Sequence, residues 1–404
     1  MKTLGFLMDI FGYRLSLQKS VREVTVEPKS EYVARQKVAA ADFGFTVDNK
    51  TALKFTAAYA AIRVRSENMA SLPKSVKLKT DDGPVEIDHP VQRLLSIQPN
   101  NYTNTFDFWE AMFAALDGWG NAYAIIERDN SGNPIALHQV HPASVDVSLN
   151  KSFKKYFRVI GTKFFDGIYS NEDMIHIMLL SFDGLKGVNP IEYNHNSFAK
   201  AIAAQKFGAE FFKKGGNIRG VLESDGNLGD TQFKSFMEHF KESSQNYDTP
   251  LLEYGIKYKQ IGINPISAQL LGTEEFSIQD IARIYNVPPH MIGDLSRATF
   301  SNIEQQTIQF AQFSLRPAVK RVEVELENKL FFEREKGHHS VKFNLNGLMR
   351  GDMAARGEWY SKMIQNGVYG RNEVRIMEEL TRKPGLDDML YPGNMNIVGK
   401  ENQK

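Results

Sequence analysis

Cysteine is absent from the 404 residues of this sequence, which excludes disulfides, thiolate zinc sites, iron–sulfur clusters and a cysteine nucleophile. An excess of charge of either sign is also missing, because 49 Lys and Arg stand against 48 Asp and Glu, a formal net charge of +1. No bulk basic field exists to hold nucleic acid by charge alone. Apolar stretches stay well below the ~18 to 20 residues that a membrane-spanning helix needs.

The motifs of common enzyme classes are missing as well. The sequence has no G-x-x-x-x-G-K-[ST] loop, no G-x-G-x-x-G after a strand, no H-E-x-x-H and no G-x-S-x-G. The histidine pair His338 and His339 has no third metal ligand nearby, and the adjacent carboxylates are typical of a solvated helix surface. We therefore expect no metal, no cofactor and no catalytic activity.

What is present is a chain that can bury a large core. Hydrophobic residues make up 42% of it, and the length suggests two or three domains or one elongated fold of several parts. Apolar spacing predicts helices over 51–72 and 105–119, and alternation predicts strands over 74–80 and 122–128. Residues 51–185 thus read as an α+β body.

The second half changes character. Asn189 and Pro190 begin a helix that runs to about Lys214, where two glycines end it. A strand–helix–strand unit over 218–260 follows, and a second long helix over 267–285 ends before two prolines. The small α/β unit is therefore inserted between two helices.

A third helix is the longest. Ser301 and Glu304 form a capping box, and an apolar stripe continues to Leu330. If the helix reaches Lys336 it spans roughly 50 Å, and Pro317 predicts a kink inside it. A kinked helix of this length suits an elongated scaffold better than a compact enzyme.

Two features could carry function. Basic residues cluster at the end of the first long helix, where they either complement the helix C-terminus or contact phosphates as a ring in an oligomer; they are Lys206, Lys213, Lys214 and Arg219. The loop over 288–300 mixes prolines, glycine and polar residues between two long helices. It is either an inert connector or a contacting element.

These residues also carry a family resemblance. The stretches 281–293, 298–306 and 315–317 resemble portal proteins, the head-tail connectors of long-tailed double-stranded DNA bacteriophages. Further landmarks are similar, in the same order along about residues 55–380: Trp119-Gly120-Asn121-Ala122-Tyr123, His141-Pro142, Asp183-Gly184-Leu185 and Asn189-Pro190-Ile191. Each motif is weak alone, and their serial order is specific.

The resemblance implies an α+β portal fold with named parts. They are an N-terminal arm (1–50), a wing (51–187), a stem helix (188–216), a clip (217–263), a second stem helix (264–286), a tunnel loop (287–301), a long kinked helix with a wing strand (302–349), a short helical crown (350–383) and a mobile tail (384–404).

The resemblance to portal proteins also implies a structural role, without catalysis and without a cofactor. Portal proteins form a ring, expected here as a dodecamer, at one capsid vertex of the virion. Double-stranded DNA is packaged through the ring by the terminase and later ejected. The implied partners are the terminase large subunit, the major capsid and scaffolding proteins, a head-completion adaptor and DNA read without sequence specificity. Assembly in the bacterial host cytoplasm, and nucleation of the procapsid, are further expectations.

Site residues are carried over by position. The DNA-facing residues of the tunnel loop would be His290, Met291, Ile292, Asp294, Leu295, Ser296, Arg297, Ala298 and Thr299. Phosphate contacts would come from the four basic residues named above, and the clip would face the terminase through Gln232, Lys234, Glu238 and Lys241. Two alternatives remain: a membrane-associated oligomeric scaffold that uses an amphipathic segment at 1–13, and a hydrolase.

Overall fold

The computed structural model describes residues 47–390, except for 82, 214–219, 225, 227–228, 246–251, 253–255, 261–269, 296–299, 346–347, 349–352 and 379. Most of the predicted arm and most of the predicted tail lie outside these described residues.

Helices and strands alternate along the described chain. The helices are α1 (Asn49–Ala52), α2 (Thr56–Ala70), α3 (Pro90–Ser96), α4 (Thr105–Trp119), α5 (Pro190–Tyr193), α6 (His195–Lys213), α7 (Asp230–Gln245), α8 (Leu270–Tyr285), α9 (Phe300–Gln309), α10 (Arg316–Leu330), α11 (Met353–Gln365) and α12 (Arg371–Met377). The strands are β1 (Lys74–Thr80), β2 (Gly83–Glu86), β3 (Asn121–Arg128), β4 (Pro134–Val140), β5 (Val145–Leu149), β6 (Lys155–Val159), β7 (Gly167–Ser170), β8 (Met174–Met178), β9 (Gly220–Glu223), β10 (Lys257–Gln260) and β11 (His339–Phe343).

The strands form small antiparallel sheets. Their orders are β11-β1-β2, β4-β3-β8, β5-β6-β7 and β9-β10. Strand β11 pairs with β1 across more than 250 residues of sequence, with Val341 opposite Val76. The chain therefore returns to its first sheet after the long helices, as predicted for the wing strand.

Helix α4 stands at the centre of the main core. The Asn104 side chain caps it by accepting from the Asp107 amide at 2.8 Å, as expected for asparagine at a helix start. Trp109 is fully buried, its ring meets that of Phe343 edge to face at 5.4 Å, and its indole N–H donates to the Leu95 carbonyl at 3.1 Å. Helix α2 packs alongside α4. We call α2–α4, β1–β8, α10 and β11 the body.

A second core lies between two sheets of the body. Tyr123 of β3 and Phe157 of β6 are fully buried there, and their rings meet at 6.0 Å. The sheet β5-β6-β7 thereby covers one face of β4-β3-β8. These strands fall within residues 51–185, which were predicted to form an α+β body.

Two helices leave the body and pack against each other, α6 and α8. The strand–helix–strand insertion predicted between them is confirmed as β9, α7 and β10. The predicted first stem helix (188–216) is interrupted, however. The Asn194 side chain donates to the Pro190 carbonyl at 2.8 Å, a local bond that competes with helix continuation, and it separates α5 from α6.

The prediction that the long helix reaches Lys336 is wrong. Helix α10 ends at Leu330, and Phe331 takes an extended conformation with ψ 146°. Phe331 is buried, and its ring packs edge to face on His89 at 5.3 Å. Burial of this phenyl ring turns the chain into the core, and turns at 332–338 lead to β11.

Candidate functional site

The body meets the helix pair at two places, one where the chain enters the predicted stem and one where the chain leaves it. We call residues 118–121 with 176–189 the entry junction. We call residues 282–293 with 306–317, together with Arg65 and Asp117, the return junction. The predicted tunnel loop leaves from the return junction and comes back to it.

Backbone touches backbone at the entry junction. Gly120 ends α4 in the left-handed conformation, φ +73°, and its carbonyl accepts from the Leu179 amide at 2.9 Å. A Cβ atom on Gly120 would lie 2.0 Å from the Val188 carbonyl oxygen, and a Cβ on Gly187 would lie 2.1 Å from the Gly120 carbonyl oxygen. Both distances are far inside van der Waals contact, so both positions require glycine.

Asn121 fastens this contact with its side chain. Its Oδ1 accepts from the Gly187 amide at 2.8 Å and from His176 Nε2 at 3.0 Å. Its Nδ2 donates to the Gly187 carbonyl at 2.8 Å and to the Trp119 carbonyl at 3.1 Å. The amide is buried with all of its hydrogen-bonding capacity in use. The chain thus enters the helix pair from a fixed point.

His176 of this junction is held neutral. Burial, then the charges of Lys155, Lys329 and Lys186, lower its pKa from 6.5 to about 2. Its Nδ1 accepts from Lys155 Nζ at 2.7 Å while Nε2 donates to Asn121. Both ring nitrogens are used in one tautomer, so protonation would break the contact with the lysine.

A buried ion pair organises the return junction. The Arg65 guanidinium of α2 bonds the Asp117 carboxylate of α4 in a bidentate way, Nε to Oδ2 at 2.8 Å and Nη2 to Oδ1 at 3.1 Å. Its remaining nitrogen, Nη1, donates to the Tyr285 carbonyl at 3.1 Å and to the Ser314 hydroxyl, with the Ser314 carbonyl at 3.5 Å. One side chain therefore joins two body helices to both sides of the loop.

Helix α8 ends in a Schellman motif. Asn286 takes φ +51°, which asparagine tolerates better than most residues, and the Val287 amide donates to the Ala282 carbonyl at 2.9 Å. The Asn286 side chain reaches across the junction, where Nδ2 donates to the Phe313 carbonyl at 3.1 Å. Burial raises the pKa of the Tyr285 hydroxyl, the next residue back.

The other side of the return junction is a short π-helix. Residues Phe310–Leu315 interrupt the long helix directly before Pro317. Proline brings no amide hydrogen to the carbonyl four residues earlier, that of Phe313. That carbonyl and the one at Ser314 receive donors from Asn286 and Arg65 instead. The sequence predicted a kink at Pro317, and what the structure shows beside this proline is a shift of the hydrogen-bond register.

The first part of the predicted tunnel loop is folded onto the junction. Pro289–Ile292 form a 3-10 turn, in which Met291 and Ile292 are half-buried and pack against the main core. His290 lies beside Gln306 of α9, with Nδ1 2.8 Å from Oε1. The structure thus turns two of the predicted DNA-facing side chains towards the protein and pairs a third.

After the 3-10 turn, the next two residues of the loop are more open. Asp294 is half-buried, and its amide donates to the Pro289 carbonyl at 3.0 Å. Leu295 is exposed over 65% of its surface. Four predicted site residues lie outside the described residues: Ser296, Arg297, Ala298 and Thr299.

The other predicted site residues lie on the helix pair and its insertion. Lys206 and Lys213 are exposed on α6, and Lys214 and Arg219 lie outside the described residues. Helix α7 carries the proposed clip residues, of which Gln232, Lys234 and Glu238 are exposed; Lys241 follows on the same helix.

The sequence analysis did not predict either junction, although the position of Arg65 is a signal for the return junction. Arg65 falls on the apolar face of α2 that includes Ala58, Ala61, Ile62 and Met69, at helical spacing. A cation on a buried stripe demands an acidic partner. Its partners lie 52, 220 and 249 residues away, so spacing along the sequence could not identify them.

The described part of the chain contains no group of three or more side chains that could hold a metal ion. Within the same residues, every helix is too short or too polar to cross a bilayer.

Residues 56–379 match the family described as phage portal protein. The chain therefore belongs to the phage portal protein family. The portal protein of Enterobacteria phage HK97 is 30% identical over 354 residues, covering 85% of this chain and 82% of that protein. The probable portal protein of Streptomyces phage phiC31 is 32% identical over 381 residues, covering 90% and 83%.

Solved structures agree on the fold. An HK97-family phage portal protein from Corynebacterium diphtheriae has a TM-score of 0.56 at 15% identity, covering 74% of this chain and 96% of that one. A chain in the neck of a native gene transfer agent particle, computed with C12 symmetry, has a TM-score of 0.55 at 16% identity, covering 85% and 96%. The predicted α+β portal fold is confirmed.

Proposed function

We propose that this portal protein assembles into a ring of twelve copies that forms a conduit for double-stranded DNA at one vertex of a phage particle. The observation that carries the proposal is the fold shared with a chain from a particle neck of C12 symmetry, over 96% of that chain. The geometry of the two junctions supports it, since the chain is fixed to one body both where it enters the helix pair and where it leaves it. The protein acts as a structural element of the particle neck, and we assign it no catalytic step.

The segment 287–301 is the proposed tunnel loop, which lies against the passing duplex. Its base is fastened at the return junction, and exposed Leu295 leads towards the tip. A near-neutral chain of net charge +1 suits a conduit, because many phosphate contacts in each of twelve copies would retard a sliding duplex.

Ring formation is tested on the purified full-length chain. We expect mass photometry to give particles of twelve times the 45.8 kDa of one chain, and negative-stain images to show a central hole. Blunt duplex DNA of mixed sequence should bind weakly, without sequence preference and with a shallow salt dependence. A monomer at high concentration, or steep salt-dependent binding outside the hole, would contradict the conduit.

The insertion β9-α7-β10 is the proposed clip, where the terminase large subunit docks during packaging and a head-completion adaptor afterwards. Exposed Lys234 and Glu238 on α7 support an electrostatic contact. Reversing Lys234 and Lys241 to glutamate should weaken capture of the terminase by preformed rings while ring mass stays unchanged. Equal capture would remove α7 from that interface.

The remaining partners follow from the same proposal. Rings assembled in the bacterial host cytoplasm nucleate the procapsid through its scaffolding and major capsid proteins, and the product is the virion with one portal vertex. Co-expression with those proteins should yield shells that each contain a single ring. Shells that form at the same rate without the portal would argue against nucleation.

A further inference from the structure

Arg65 has more donors than its ion pair needs. The bidentate contact with Asp117 uses Nε and Nη2, which leaves Nη1 free to bond elsewhere. Arg65 and Asp117 are 6% and 1% exposed, so no bulk water can satisfy that nitrogen. A buried guanidinium is stable only when its remaining N–H groups also find acceptors.

The acceptors that it finds are backbone oxygens at the two ends of one segment. Tyr285 is the last residue of α8, where carbonyls lack intrahelical donors. Ser314 lies in the short π-helix, whose hydrogen-bond register is shifted. Nη1 contacts both residues, and the Ser314 hydroxyl lies 3.5 Å from the Tyr285 carbonyl.

We infer that Arg65 is a positioning residue, which fixes residues 285 and 314 to each other and to the body and so sets where the described part of the tunnel loop, residues 287–295, stands. The name tunnel loop rests on the proposed function; the fixing of the segment does not. A second hydrogen bond between the two sides of the segment runs from the Asn286 side chain to the Phe313 carbonyl. A third joins His290 and Gln306, farther along the loop.

Lysine cannot replace this arginine. An ammonium group keeps the charge that Asp117 requires, but it is a single nitrogen without the planar fork that reaches the carboxylate and both carbonyls at once. Arg65→Lys therefore separates two roles. If Arg65 only neutralises Asp117, lysine preserves most of its effect. If it positions the segment, lysine loses that effect while the body stays folded.

The test is amide hydrogen exchange of the full-length chain, read by mass spectrometry. In Arg65→Lys we expect exchange at least about tenfold faster in peptides from 284–295 and 303–316. Peptides from β3 and β8 should keep their wild-type rates. Unchanged exchange in the loop peptides, or an equal rise throughout the body, would overturn the inference, because the ion pair would then be purely structural.

Arg128→Lys is the matched control. Arg128 also donates to backbone carbonyls from a half-buried site of the body, those of Gly132 at 3.0 Å and Lys329 at 2.7 Å. Its replacement should speed exchange near β3 and α10 and leave the loop peptides unchanged. Loosened loop peptides in this control would show a general response to a lost arginine and would overturn the inference.

A second variant keeps the test usable if Arg65→Lys fails to fold. Asn286→Gly retains the left-handed conformation, which glycine adopts freely, and removes only the bond to the Phe313 carbonyl. It should loosen the same loop peptides by a smaller factor at an unchanged melting temperature. Wild-type exchange in this variant would count against the positioning of the segment.

The two proposals fail separately. If wild-type rings did not admit duplex DNA, the proposed function would fall, and selective loosening by Arg65→Lys would still support the inference. If rings admitted DNA but the variant left loop exchange unchanged, the inference alone would fall.

Discussion

The entry and return junctions both fix the chain of the helix pair to the body, but they do so through different kinds of contact. At the entry junction two backbones touch through Gly120 and Gly187, where no Cβ fits. At the return junction the backbones stay apart, and the Arg65 side chain spans the gap to Tyr285 and Ser314. One connection depends on the absence of side chains, and the other depends on one long side chain.

The comparison shows which atoms each junction depends on. Contact between rigid peptide groups has no rotatable bond with which to absorb a shift, so the entry junction is a fixed point. At the return junction the planar fork of one buried arginine must stay in place to keep all of its partners, so this junction depends on a single side chain. The proposed tunnel loop leaves from the return junction.

The largest expected effect comes from breaking the ion pair of the return junction. Asp117→Ala leaves the Arg65 charge buried without its carboxylate and should lower the free energy of unfolding by about 3–5 kcal/mol. Urea unfolding followed by circular dichroism measures it. The double variant Arg65→Met, Asp117→Leu removes both charges and should recover much of the loss. A mild effect of the single variant would mean that water reaches the site.

The entry junction is broken by one methyl group. In Gly187→Ala the new Cβ would lie 2.1 Å from the Gly120 carbonyl oxygen, so the backbones must separate, at a cost of about 3 kcal/mol in the free energy of unfolding.

The control for that variant is Gly118→Ala, two residues before Gly120 in the same helix. No atom lies within 4 Å of its Cβ position inside α4, so alanine should stabilise the helix by about 0.5–1 kcal/mol. The two substitutions are chemically identical, and equal melting temperatures for both would refute the close contact.

Acid should weaken the entry junction before the return junction. The pKa of His176 is about 2 in the folded protein and 6.5 ordinarily. Below pH 6.5 the unfolded chain binds a proton that the folded chain refuses, so stability is complete above this pH and falls below it. The slope approaches about 1.4 kcal/mol per pH unit for a fully neutral buried histidine.

His176→Gln keeps a donor towards Asn121 and removes the titration. Urea unfolding at pH 7, 6 and 5 should show a shallower loss of stability in this variant than in the wild type. Parallel pH profiles would exclude His176 as the source. Arg65 and its partners Asp117, Tyr285 and Ser314 include no histidine, so Arg65→Lys should keep the wild-type slope over this range.

The smallest effect is expected away from both junctions. Phe153, at the tip of the β5–β6 hairpin, has φ +57° and is 85% exposed, whereas the return junction uses the more tolerant Asn286 at a similar angle. Phe153→Gly should raise the free energy of unfolding by about 1 kcal/mol through relief of backbone strain. Phe153→Ala keeps the Cβ and should change little, and a similar gain in both variants would point to the exposed ring instead.

Most of the body was predictable from the sequence. Local signals such as Asn189 before α5, or the alternation along β1, act within a few residues and are read directly. The interruption at Asn194 and the end of α10 at Leu330 were not predicted, because a side-chain bond and the burial of Phe331 overrode helix propensity. The order of the portal landmarks was predictable, whereas the burial of Met291 and Ile292 was not.

The sequence by itself determined the order of the main elements, the helix start at Asn189, the inserted clip-like unit and the interruption of the long helix before Pro317, since each depends on neighbouring residues. Only the tertiary structure decided that Gly187 meets Gly120, and that Arg65 meets Asp117, Tyr285 and Ser314. These contacts join residues 52 to 249 positions apart, and a pairing at that separation depends on how packed helices bring the chain together.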